Sequence, residues 1–146
     1  MEELDQQQLP EVQPRRPGLL TVLCILTFIG SGMYFVSSLF IATFYDFYLQ
    51  VAQEFAEKFK IPGMEQLTQI KPVFYIVSAI LYAGSVAGAA LMMRLKKNGF
   101  HIYTISQILL ILAPMYFMHL SSPGALDILL SGLFIFLYSM NLKFMS

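Results

Sequence analysis

Few residues in this chain can do chemistry, and their spacing keeps most of them apart. His101 and His119 stand at opposite ends of one apolar run. If that run is helical, a rise of 1.5 Å per residue separates them by about 27 Å, too far for a shared metal. The single cysteine, Cys24, lies inside another apolar run and offers neither an intramolecular disulfide nor a multi-cysteine metal site. It reads as a small buried hydrophobe, and Leu23 before it does not suit a lipoprotein attachment site. His119 and Asp127 flank the same turn and can pair, either as a structural hydrogen bond or as a minimal acid–base pair. No nucleophile motif accompanies them, which favours the structural role and argues against an enzyme. Gln107 is the one strongly polar side chain within its run, placed to hydrogen-bond a neighbouring helix in preference to a substrate. No cofactor is implied.

These residues are carried by long apolar elements. The chain is 57% hydrophobic and 12% charged, with a mean hydropathy of +0.65. The charges fall in the breaks between apolar runs, and each run is apolar on all sides, so a lipid bilayer is the environment that satisfies it. The organising break is Arg94-Leu95-Lys96-Lys97-Asn98-Gly99-Phe100-His101, a basic turn between two uncharged runs. It reads as the tip of a transmembrane hairpin. The fold expected is an all-α membrane bundle of four transmembrane helices: 18–45, 72–93, 99–120 and 123–142. An amphipathic segment, 46–70, follows the first span, with Val51, Phe55 and Phe59 recurring every four residues among Glu54, Glu57, Lys58 and Lys60. It either caps the bundle or lies along the membrane surface, and Pro62-Gly63 should end it.

Residues 1–16 are polar and acidic and read as a disordered cytoplasmic tail ahead of a domain spanning 17–143. That acidity, and the length of the first run, do not suit a cleavable signal peptide. In the second span, Gly84 and Gly88 form a GxxxG pair, repeated one step on by Ser85 and Ala89. Small residues mark helix contact faces in lipid, so this span should be central, meeting the first or fourth span or a second copy of the chain. Pro114 should kink the third span, while Ser122 should cap the fourth with Pro123 at its first position. Thirteen phenylalanines and eight tyrosines, with no tryptophan, supply aromatic belts, Tyr45 and Phe47 outside and Phe100 and Tyr103 inside.

Orientation follows from basic residues. With both termini cytoplasmic, Arg15, Arg16, Arg94, Lys96, Lys97 and Lys143 lie inside, while Lys58, Lys60 and Lys71 spread over the longer outer loop. A faint internal echo, Met33-Tyr34-Phe35 against Met115-Tyr116-Phe117, is compatible with two hairpins in the same orientation. A net charge of zero suggests no nucleic-acid partner. Both carboxylates at span ends, Asp46 and Asp127, avoid the central depth, where a charge costs roughly 2.5–3.5 kcal/mol on insertion scales. A proton-coupled pump therefore lacks its titratable group.

The basic turn Lys96-Lys97-Asn98-Gly99-Phe100 with Tyr103, and Arg16-Pro17 opening the first span, resemble the layout of uncharacterised small four-helix membrane proteins of bacterial type. The resemblance covers roughly residues 15–143 and implies the four-span fold without a particular activity. The reading is a multi-pass protein of the cell membrane, non-catalytic, packing through a small-residue helix face against a second copy or a membrane partner. The alternative is an oligomeric pathway for a neutral or apolar solute, lined by Gln107, Ser85 and tyrosines.

Overall fold

A computed structural model describes residues 15–119 and 121–146. The polar stretch 1–14, most of the expected tail, lies outside the described residues, as does Leu120. Among the described residues the chain is helical, without strands: α1 (Gly18–Thr43), α2 (Tyr45–Phe59), α3 (Met64–Thr68), α4 (Pro72–Met93), α5 (Lys97–Met118) and α6 (Ala125–Met140), then a one-turn 3₁₀ helix over Leu142–Phe144. α1, α4, α5 and the stretch Ala125–Phe144 are each long and apolar enough to cross a membrane.

Cross-chain contacts give the arrangement. α4 packs on α1 along one flank and on α5 along the other. Leu20 and Met92 share a core near one end, Cys24 meets Ala89, Ser31 meets Ser85, and Tyr34 stacks on Tyr82. The falling partner numbers make α1 and α4 antiparallel. α5 returns beside α4, from Gly99 against Gly88 to Phe117 against Phe74. α6 closes the set through Tyr138 against Tyr103, and it is the least embedded of the four long helices, with Tyr138 its one buried residue.

The two ends of the bundle differ. The tight turn between α4 and α5 carries Arg94, Lys96 and Lys97; this is the basic end. There Leu95 adopts a left-handed conformation (φ 61°), and the tail after α6 folds back onto the turn. The Ser146 amide donates to the Leu95 carbonyl at 2.8 Å, and the Lys97 amide donates to the Ser146 carbonyl at 3.1 Å. Met145 is buried beside Cys24, Met92 and Tyr138. The opposite end carries the hairpin of α2 and α3, held by hydrogen bonds from the Tyr45 hydroxyl to the Ile70 carbonyl just before α4 (2.6 Å) and from the Tyr75 hydroxyl of α4 to that of Tyr48 (3.2 Å).

Several local expectations change. The first span does not run unbroken to Tyr45. It stops at Thr43, bends at Phe44 (φ −111°, ψ 44°) and resumes as α2. The amphipathic segment is thus helix from Tyr45, and it ends at Lys60 in the left-handed region, before Pro62-Gly63. α5 begins two residues before Gly99 and stops at Met118, with His119 left-handed beyond it. Ser122 does not cap α6: the N-cap is Gly124, without a side-chain hydrogen bond, so Pro123 lies outside the helix. The chain exits the turn extended at Gly124 (φ −60°, ψ 128°), too late for the Ser122 hydroxyl to reach the first turn. Tyr103 is no belt residue. It is 3% exposed and sits in the core, because its position on α5 points at Tyr138.

Candidate functional site

The small residues of α4 divide between two neighbours. A Cβ built on Gly88 would lie 2.8 Å from both the Gly99 carbonyl oxygen and the Tyr103 amide nitrogen; one built on Gly84 would lie 2.5 Å from Ser106 Oγ. Both glycines therefore face α5, not α1, α6 or another molecule. Gly99 answers in kind, its own Cβ position lying 2.5 Å from the Gly88 carbonyl oxygen. One step round the helix, Ala89 faces α1 and Ser85 lies between α1 and α5, within reach of both. Ala89 is fully buried, and its carbonyl accepts from the Cys24 thiol at 3.5 Å.

That close approach places a row of polar groups at mid-helix. Ser31 of α1 and Ser85 of α4 share a hydrogen bond of 3.0 Å. The Gln107 amide of α5 donates to Ser85 Oγ at 3.1 Å, and the Gln107 carbonyl oxygen accepts from Ser131 of α6 at 3.0 Å. One chain of side-chain hydrogen bonds thus touches all four long helices, with both ends of the Gln107 amide occupied. Toward the basic end, the Thr27 and Tyr138 hydroxyls share a bond of 2.8 Å, and Tyr138 meets Tyr103 edge to face at 4.9 Å.

A cavity of about 330 Å³ lies beside this chain, between α1, α5 and α6. Ser31, Gln107 and Ser131 line its wall; Thr27 and Tyr103 lie at its basic-end limit. Tyr34 and Tyr82, stacked with centroids 5.2 Å apart and planes 13° from parallel, line it toward the other end with Asp127. Pro114 and Leu110 also border it. Pro114 has no amide N–H, so the Leu110 carbonyl lacks its usual helical donor at this wall. Leu26 and Leu130, each 49% exposed, border the gap between α1 and α6. Below the cavity, Leu20, Leu23, Cys24, Met92 and Tyr138 pack into a closed apolar plug. A wider recess of about 590 Å³ lies outside the spans, between α2 and the turn after it, bordered by Glu57 and Lys60.

Of the residues singled out by sequence, Gln107 and Asp127 line the cavity, while Ser85 is fully buried behind it, hydrogen-bonded to Ser31 and Gln107. His119 does not join them: among the described residues no hydrogen bond or ion pair joins it to Asp127. His119 itself is left-handed (φ 51°), just past the end of α5. Among the described residues no three His, Cys, Asp or Glu side chains stand close enough to hold a metal. Sequence reasoning missed Thr27 and Ser131, and it invoked tyrosines only as a group, without Tyr34 or Tyr138. A signal existed. Cys24, Thr27, Ser31 and Ser38 recur at helical spacing along α1, and Asp127, Ser131, Phe134 and Tyr138 do so along α6. No family model, no curated protein and no solved structure matches this chain.

Proposed function

We propose that this chain is a non-catalytic multi-pass protein of the cell membrane, both termini cytoplasmic, that holds a small neutral solute or lipid group in the cavity between α1, α5 and α6. The observation that carries this reading is the hydrogen-bonded row Ser31–Ser85–Gln107–Ser131 beside a recess of about 330 Å³. Hydroxyl and amide groups at mid-membrane depth can exchange hydrogen bonds with a neutral guest without the cost of burying charge. Helix packing remains part of the function, because Gly84 and Gly88 create the close approach that sets the row. Their face is occupied by α5 of the same chain, so an association with another protein would use a different surface. The plug below the cavity makes this a recess that closes toward the basic end. A solute passing through would have to part Tyr103 from Tyr138.

The test is uptake by proteoliposomes, with glycerol as the neutral probe, followed by light scattering after an osmotic step. If the recess belongs to a pathway, wild-type protein speeds equilibration over protein-free vesicles and Gln107→Leu removes most of the gain. Native mass spectrometry covers the binding-only case: a co-purifying adduct present on the wild type should be lost in Gln107→Leu. A wild type that shows no flux and carries no adduct would sink the proposal.

A further inference from the structure

A stripe of large apolar side chains runs the length of α2, and among the described residues no other element covers it. Phe44, Phe47, Val51, Phe55 and Phe59 recur every three or four residues, and each is between 36% and 59% exposed. The neighbouring flank of α2 is occupied: Ala52 is buried, and Tyr45 and Tyr48 bond to the Ile70 carbonyl and to Tyr75. The remaining flank is polar and exposed, with Gln50, Gln53, Glu54 and Glu57. The helix therefore has one apolar side against its own chain, one apolar side uncovered and one side for water.

The uncovered side continues a surface that already faces lipid if α1 crosses the bilayer. Phe40 on α1 is 53% exposed, and its ring lies 5.0 Å from that of Phe44, so the stripe passes across the bend without changing sides. Length fixes the height of the bend. A helix of 26 residues spans about 39 Å, against a hydrocarbon core of about 30 Å. Phe44 thus lies at the boundary between acyl chains and headgroups. A straight continuation would lift Phe59 roughly 22 Å further into water. Farther along, Phe55 and Phe59 stack at 5.4 Å, and the Lys58 ammonium stands 5.9 Å from the Phe59 ring, an apolar body with a cation at its rim. An interfacial helix buries such a face at the acyl boundary and turns its charged face outward.

We infer that α2 is an interfacial anchor, lying on the phospholipid leaflet at the hairpin end with Phe47, Val51 and Phe55 in the acyl–headgroup boundary. This rests on the reading of α1 as a membrane span, and the test separates the two. Single cysteines replace Phe47, Phe55, Glu57 and, as a mid-span control, Ile29, in full-length protein in phosphatidylcholine nanodiscs; Cys24 is buried and left in place. Nitroxide labels are then scored by collision with oxygen, which concentrates in lipid, and with a water-soluble nickel chelate. The expected result is oxygen-dominated relaxation at Phe47 and Phe55, at shallower depth than Ile29, with Glu57 several-fold more accessible to nickel. Phe59→Cys serves if Phe55→Cys fails to assemble. Nickel access at Phe55 equal to that at Glu57, with Ile29 still in lipid, would overturn the anchor. So would dipolar broadening between Phe55 labels that grows with protein-to-lipid ratio, since a second copy would then be the occupant. Nickel access at Ile29 would remove the membrane span itself, and the anchor with it.

Discussion

At the residue scale, magnitude separates the groups that hold the fold from those that serve the cavity. Intramembrane side-chain hydrogen bonds average about 0.6 kcal/mol, so the two bonds of Gln107 contribute roughly 1 kcal/mol together. Gln107→Leu should therefore leave assembly intact, with a thermal midpoint in mild detergent within a few degrees of wild type. Gly88 is different. A side chain there meets backbone atoms of Gly99 and Tyr103, which cannot rotate away, and overpacking of this kind costs about 1–3 kcal/mol or more. Gly88→Leu should lower the midpoint well beyond the Gln107 variant; equal effects would mean that α4 and α5 do not approach as described. Cys24, with no exposed surface, should resist maleimide in folded protein and react after denaturation.

At the element scale, α6 is held firmly at one end and loosely at the other. Tyr138, Asn141 and Met145 are buried near the basic end, while every residue from Gly124 to Leu130 is exposed. Backbone hydrogen exchange should accordingly be faster over 125–131 than over 135–141. Uniform protection along α6 would show that something covers the gap between α1 and α6. Met145→Ala should loosen the tail that folds onto Leu95, and maleimide labelling of Cys24 then becomes the readout. The sequence made these elements legible to within a few residues, because uncharged runs between basic breaks leave little choice of boundary. The bend at Phe44 was not legible. No proline or glycine marks it, and an apolar run continues through it from Phe40 to Tyr45. Gln107 was visible as a polar exception, whereas the hydrogen bonds of Ser31 and Ser131 were not. A lone serine in a membrane helix can bond its own backbone, and only packing reveals that these point at a common centre.

At the scale of the whole molecule, antiparallel packing of α1 on α4, α4 on α5 and α5 on α6 puts the Arg94–Lys97 turn and the Ser121–Gly124 turn at opposite ends. Asn98→Cys and Ser122→Cys should therefore label from opposite faces of a sealed vesicle with an impermeant thiol reagent. Labelling of both from one face would break the four-span arrangement. The arrangement also explains why polar chemistry is so sparse. Four slender helices of this length enclose little volume: Ser106, Gly99 and Tyr103 fill the space at Gly84 and Gly88, and a single amide with three serines makes the hydrogen-bonded row that joins the helices. The gap flanked by Leu26 and Leu130 has a practical corollary for isolating the protein. If a guest binds as proposed, a detergent with a slim flexible tail competes for the same recess and can displace it during extraction. Bulky rigid-cored amphiphiles, or polymer discs that carry the native lipid along, are the conditions under which the occupant should survive to be weighed.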